Sequence, residues 1–398
     1  MEKIKMPLPI VEMDGDEMTR VLWAMIKEQL IEPFVELNTE YYDLSLPSRE
    51  ATNDAITREA AAAIKKWHVG VKCATITPNK KRVEEYNLSR MYPSPNGTIR
   101  AILDGTTFRS PIVLPGTTPL VPTWKAPITI ARHTYGDVYK DTEMRIEGPC
   151  EVRLVSRDGL GATQEKKVFA FDGPGVVLSM YNIDSSIYSF ARSCFAAALD
   201  KKQDLWFSCK DTISGTYDGR FRDIFQEIYD NEYKAAFEAE GLQYIYSLID
   251  DAVARCMRSK GGFVWALKNY DGDVMSDMIG AAFGALALMT SVLISPDGNF
   301  EYEAAHGTVT KHYYRYRDGE KTSTNPMATI YAWTGALRKR GELDANADLM
   351  AFADHLEAAC VKTITDGIVT GDMAALTGVE KGVTTEEFLA AIRERLEA

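Results

Sequence analysis

Residues 269–277, NYDGDVMSD, hold three aspartates and no lysine or arginine, and they run into an uncharged stretch of 18 residues, Met278 to Ser295. If a helix begins near Asp273, Asp277 falls one turn later on the same face. Two carboxylates so placed can jointly hold a hard divalent cation, Mg2+ or Mn2+. Acidic residues at a helix start also complement the helix dipole with no metal, so the spacing leaves both readings open. Asp250-Asp251 in LIDDAVARCM follows a strand pattern and opens another helix, and it too reads as cap or ligand. An EF-hand loop is excluded, because Met275 and Ser276 stand where an acidic or amide ligand and a glycine are needed.

The basic residues raise a second chemistry. Two prolines and a glycine in YPSPNGTIR (92–100) predict a loop that carries Ser94, Asn96 and Arg100. Arg109 in GTTFRSP and Arg132 in ITIARHTYGD each lie beside a turn or strand end. Three arginines in such places suit bidentate capture of carboxylates, although a lone arginine is as commonly a solvated surface charge. EAAHGTVTKHYYRY (303–316) sets small residues, a glycine and two threonines ahead of Lys311 and His312. Such a loop brings backbone N–H groups close to a phosphate or ribose; a plain turn with basic residues is the other reading. GLGATQ and GPGVVL lack the third glycine of a dinucleotide fingerprint, and no Walker loop, H-E-x-x-H or G-x-S-x-G is present.

The elements that must position these groups alternate. TNDAITREAAAAIKKW (52–67) is helical by its apolar face, VGVKCATIT reads as a strand, and SIYSFARSCFAAAL and DLWFSCK repeat the pair. A long charged helix between Gly219 and Gly241, then QYIYSLID and GFVWALK, continue the alternation of α/β architecture. Residues 137–183 differ: rich in Gly, Pro, Val and charge, they predict a β-hairpin insertion. The chain of 398 residues has room for two domains, and its formal charge of −12 disfavours binding to nucleic acid or to anionic membranes. Half of Met278–Ser295 is Gly, Ala, Ser or Thr, and it predicts a buried helix and strand instead of a membrane span. Six scattered cysteines without C-x-x-C spacing, with Cys73, Cys194 and Cys209 in apolar segments, predict buried thiols in a reducing compartment. The N-terminus fits neither a signal peptide nor a transit peptide, so the expected location is cytoplasmic.

Together these segments identify a resemblance. EMDGDEMTR, VGVKCATITP, SPNGTIR, RHTYGD, YDGRFRDIFQEIYD, LIDD, NYDGDVMSD, EAAHGTVTKHY and TSTNP, in this order over almost the whole length, closely resemble the homodimeric NADP-dependent isocitrate dehydrogenases. The resemblance implies a fold distinct from the Rossmann type, with a large α/β domain (1–103 and 284–398) and a small one (104–136 and 184–283). These share a sheet, and 137–183 form a clasp that interlocks two subunits. It implies that Thr77, Ser94, Asn96, Arg100, Arg109 and Arg132 bind isocitrate. Asp273 and Asp277, with Asp250 of the other subunit, would hold Mg2+ or Mn2+. Lys210 of the neighbouring subunit would assist removal of the hydroxyl proton, and Tyr139 would protonate the enolate left after decarboxylation to 2-oxoglutarate. NADP would lie against Thr75, Ile76, Thr77, Arg82, Gly307, Thr308, Val309, Thr310, Lys311, His312 and Asn325, with Arg258 and Arg255 reaching its 2′-phosphate across the dimer.

Three positions depart from the family pattern. Lys311 stands for arginine and Arg258 for lysine, which keeps both charges. Met275 stands for glutamine, which predicts loss of a polar contact beside the metal. The enzymatic alternative is a related dehydrogenase acting on isopropylmalate, homoisocitrate or tartrate with NAD. Ser94 and Asn96 beside three arginines favour a tricarboxylate, where an isopropyl group would need an apolar pocket. A metal-binding scaffold without catalysis is the alternative from another class.

Overall fold

A computed structural model describes residues 2–115, 117–284 and 286–398, the side chain of Leu286 excepted. Ten strands form one mixed sheet. In spatial order they are Tyr244–Leu248, Asp204–Cys209, Gly261–Leu267, Ala126–His133, Thr106–Pro111, Met289–Ile294, Phe300–Ala304, Val69–Lys72, Ile10–Asp14 and Thr39–Asp43. The first four are mutually parallel, as are the last four. Thr106–Pro111 and Met289–Ile294 join the two sets through antiparallel ladders. The five strands from 104–136 and 184–283 thus stand together at one end, and the five from 1–103 and 284–398 at the other.

Helices cover both faces, which is why strands such as Val69–Lys72 and Ile10–Asp14 are buried at every position. Helices Glu17–Ile26, Met327–Asp344, Ala347–Thr365 and Thr385–Glu397 enclose one core around Trp23, Trp333 and Leu356. At the other end Phe190, Phe195, Phe207 and Phe225 fill the space beneath Asp184–Lys201 and Tyr217–Ile228. Residues 142–179 leave this body as two antiparallel pairs, Thr142–Ile146 with Gly175–Ser179 and Cys150–Arg157 with Thr163–Phe171. Leu154, Val155, Phe169 and Val176 are exposed on them.

Three sequence expectations need local correction. Ser94–Arg100 is not a loop: Pro95 takes the first position of helix Pro95–Leu103, where its missing N–H costs no hydrogen bond, and Ser94 stands at the N-cap. The strand expected through VGVKCATIT ends at Lys72. Beyond it the Asp16 N–H takes the Ala74 carbonyl and the Asp16 carboxylate takes the Ile76 N–H, so the backbone leaves the ladder. The acidic stretch lies within a helix that begins at Asn269, four residues before Asp273. All six cysteines are free thiols, and Cys150 alone of them is exposed.

Candidate active site

Strand register brings the arginines together. Arg132 opposes Thr107 across one ladder, and Thr107 opposes Leu293, which opposes Glu301. In the next row Arg109 opposes Ser291, which opposes Glu303, which opposes Lys72. Cross-strand partners share a face, so Arg132, Arg109, Glu301, Glu303 and Lys72 all point to one side of the sheet where the antiparallel strands join its halves. Helix Pro95–Leu103 adds Arg100 from above, its Nη2 at 2.7 Å from Glu303 Oε1.

Of these groups Arg100 and Arg132 line a cleft of about 570 Å³, with Ser94, Tyr139, Lys140 and Asn269 among others. The arginine environments differ. Burial works against the charge of Arg100, but Glu303 and Glu301 outweigh it and raise its pKa. Burial and the repulsion of Arg100 lower the pKa of both Arg109 and Arg132. Arg109 donates to Ser276 Oγ at 2.8 Å, and its buried Nε has no hydrogen-bond partner. Glu301, pushed up to about 8 by burial and then by Glu303, accepts a proton before its neighbour does. Glu303 stays low, because Arg100 and Lys72 overcome the effect of its burial. Asn96 is half-buried, with its side-chain carbonyl enclosed and unpartnered, whereas Thr77 is exposed at the end of the irregular segment.

Asp273 and Asp277 project from one face of helix Asn269–Phe283 towards these arginines. Asp273 pairs with Arg132 and lies 3.8 Å from Arg109; Asp277 lies 3.5 Å from Arg109. The Tyr139 hydroxyl donates to Asp273 at 2.6 Å. Burial first, then that hydrogen bond, push the phenol up to about 12, so it keeps its proton at neutral pH. Lys210 and Asp250 follow the carboxyl ends of two adjacent strands and pair with each other at 2.6 Å. Among the described residues neither side chain forms an ion pair or hydrogen bond with Asp273, Asp277 or Tyr139. Among the described residues no three His, Cys, Asp or Glu converge. Two carboxylates one turn apart, open to solvent on the substrate side, nonetheless fit a hard cation that completes its shell with water and substrate oxygens. Met275, from the same helix, packs on the apolar cluster of Trp124, Ile128 and Phe283.

A second cleft, of about 350 Å³, lies between the loop before helix Thr310–Arg317 and the segment 323–325. Val309, His312 and Asn325 line it, as do His306, Arg315 and Asp372, which sequence reasoning missed. His306 and Arg315 lie inside the EAAHGTVTKHYYRY motif and were within reach; nothing in the sequence pointed to Asp372. His306 Nε2 is buried without a partner, and His312 and the cation Arg315 stand beside it, which fits a phosphorylated ribose. Burial, then Arg315, lower the His312 pKa. Thr75 and Ile76 follow strand Val69–Lys72, and Arg82 pairs with Glu17 at 2.7 Å and with Glu85 at 2.8 Å. Arg82 Nη2 also donates to Thr310 Oγ1 at 3.0 Å, and Gly307, Thr308 and Thr310 flank Val309 in the loop and helix start beside this cleft. Arg255 and Arg258 lie on helix Ile249–Arg258, where Arg255 pairs with Asp251 at 2.6 Å; the structure does not bring them to this cleft within one chain.

A mixed sheet with an anion-binding cleft and acidic pair at its antiparallel join, flanked by a second, nucleotide-sized cleft, defines a two-substrate enzyme of acidic ligands. The chain belongs to the isocitrate/isopropylmalate dehydrogenase family, whose pattern matches residues 5–392. It is 54% identical to the mitochondrial NADP isocitrate dehydrogenase of Saccharomyces cerevisiae, over 99% of this chain and 94% of that protein. The mitochondrial enzyme of Rattus norvegicus is 51% identical over 100% of this chain and 90% of its own length. The peroxisomal enzyme of Candida tropicalis is 50% identical over 99% and 98%. The expected cytoplasmic location draws no support from these names. No helix among the described residues is long and apolar enough to cross a membrane.

Proposed function

We infer that the chain oxidatively decarboxylates isocitrate to 2-oxoglutarate and CO2 through oxalosuccinate, reducing NADP with the help of a divalent cation. The observation that carries this reading is the cleft itself. Arg100, Arg109 and Arg132 converge in a protein of net charge −12 beside two acidic side chains on one helical turn. A tricarboxylate needs that many guanidinium groups, and bidentate pairing fixes its orientation.

Ser94, Asn96 and Thr77 would add polar contacts to the substrate, and the unpartnered Arg109 Nε and Asn96 carbonyl are groups that a ligand would satisfy. Asp273 and Asp277 would hold Mg2+ or Mn2+. When bound, that cation supplies Lewis-acid stabilisation of the developing oxyanion, and NADP accepts the hydride. Tyr139 stands in the cleft as a protonated phenol, the correct state to donate to the carbon that loses CO2. Lys210 and Asp250 would serve the site of a second subunit. Their mutual pairing away from Asp273 and the exposed apolar face of residues 142–179 support a homodimer clasped through that arm. Arg255 and Arg258 would cross the same interface to the 2′-phosphate. The proposed domains, 1–103 with 284–398 and 104–136 with 184–283, draw support from the grouping of their strands at opposite ends of the sheet, and the proposed clasp 137–183 from the two strand pairs outside it.

The test is a steady-state comparison of isocitrate, isopropylmalate, homoisocitrate and tartrate with NADP and with NAD, with and without chelator. Formation of NADPH from isocitrate, abolished by chelator and restored by Mg2+ or Mn2+, is the expected outcome. Turnover of isopropylmalate with NAD alone would end this reading. Divalent-ion binding without reduction of either dinucleotide would identify a scaffold.

A further inference from the structure

No residue of the motif EMDGDEMTR (12–20) lines either cleft. Its Asp16 and Glu17 are adjacent, acidic and buried, with 4% and 5% of their surface exposed. Asp16 accepts the Leu46 N–H and the Ile76 N–H, each at 2.9 Å, and its own N–H donates to the Ala74 carbonyl at 3.0 Å. This approach requires Gly15, since a Cβ there would lie 2.0 Å from the Ala74 oxygen. Glu17 accepts the hydroxyls of Thr308 at 2.5 Å and Thr310 at 2.6 Å, and its other oxygen lies 2.7 Å from Arg82 Nη2. The next residue, Met18, donates its N–H to the Thr308 carbonyl at 3.2 Å.

Two successive carboxylates therefore tie together three segments that are remote in sequence: 74–77, Arg82 and 308–310. Glu17 does so at φ +53°, a left-handed conformation that disfavours any side chain with a Cβ. Such a conformation persists where surrounding contacts over-determine it, and it concentrates at functional sites. Two further consequences follow from the chemistry. The Arg82 guanidinium is aimed by two carboxylates, Glu85 and the fully enclosed Glu17, and the two threonine hydroxyls are fixed as donors to Glu17. Between these two threonines Val309 lines the nucleotide-sized cleft, so fixing them fixes the wall there.

We propose that Asp16 and Glu17 are positioning residues for the dinucleotide, holding the segments of its cradle at the spacing that binding requires. This rests on the assignment of those segments to NADP, and the experiment separates the two ideas. NADPH binding is measured by fluorescence titration, alongside the isocitrate KM and the unfolding temperature, for Glu17→Gln, Glu17→Asp and Asn325→Ala. Glu17→Gln keeps the shape of the side chain and removes its charge, so the buried ion pair with Arg82 is lost and NADPH affinity should fall about tenfold. The isocitrate KM should change by less than about twofold, because Glu17 touches nothing in the substrate cleft. Equal losses for both ligands, or unchanged NADPH affinity, overturn the proposal. If Glu17→Gln does not fold, Glu17→Asp decides: wild-type NADPH affinity overturns the proposal, and a loss confined to the dinucleotide supports it. Asn325→Ala gauges the underlying assignment. Weakened NADPH binding in it with none in the Glu17 variants refutes the positioning role alone, whereas no effect in any variant refutes the assignment of the cleft.

Discussion

Arg49 is the most enclosed cation near the cleft, and its replacement by methionine has a consequence that can be worked through. Its Nε donates to Asp54 Oδ1 at 2.8 Å, Nη1 to the Ile76 carbonyl at 3.0 Å and Nη2 to the Pro93 carbonyl at 2.6 Å. The side chains of Arg49 and Asp54 are 0% and 3% exposed. Arg49→Met keeps the length but leaves Asp54 with only the Thr57 hydroxyl, at 2.7 Å, as its side-chain donor. Removing one member of a buried pair costs about 3–5 kcal/mol, because the other charge stays desolvated. For a chain of this size that lowers the melting temperature by about 4–6 °C. The assay is a double-mutant cycle with Asp54→Ala, read by thermal or urea unfolding at fixed protein concentration. The double variant should lose about 2–3 kcal/mol less than the sum of the singles, since the stranded carboxylate is gone. The carbonyls that Arg49 holds adjoin Thr77 and Ser94, so the isocitrate KM should rise in Arg49→Met and stay raised in the double variant. Additivity within about 0.5 kcal/mol, or an unchanged KM, would refute the reasoning.

Asp273→Asn should raise the Mn2+ concentration needed for half-maximal rate by at least about tenfold and reduce turnover; an unchanged Mn2+ titration contradicts the ligand role. Lys311→Ala should weaken NADP far more than NAD in parallel KM measurements, and equal losses would remove Lys311 as the reader of the 2′-phosphate. His133 is buried without a charge partner, its Nε2 beside Ser186 Oγ at 2.9 Å, and burial lowers its pKa from 6.5 to about 3. Its neutral form is the one the fold accepts, so its contribution is complete above pH 6.5 and is lost as pH falls from 6.5 towards 3. The loss is about 1.4 kcal/mol per pH unit, or about 2 kcal/mol by pH 5. The stability difference between wild type and His133→Gln should shrink by that amount in urea unfolding at pH 5 and 7.5; a difference independent of pH refutes the assignment.

Local chemistry made much of this protein legible in one dimension. The α/β alternation, the hairpin arm, the Asp273–Asp277 spacing and the arginines were readable because period, turn residues and charge are local properties. Boundaries were less so. Ser94–Arg100 was expected as a loop because Pro and Gly break helices in the interior, yet Pro at the first position starts one. The strand after Val69 was extended too far because its alternation continues to Thr77, and only the Asp16 carboxylate, 60 residues away from Ile76, draws the backbone off.

What only the tertiary structure decided is which charges meet. No spacing rule joins Arg109 to Ser291 and Glu303, or Glu17 to Thr308 and Arg82, because strand register and the packing of distant helices set those pairs. The sequence alone determined which functional groups the chain owns and which local elements carry them. The fold determined their distances, and through burial their charge states, because desolvation and Coulomb energies depend on positions in space and not on order along the chain.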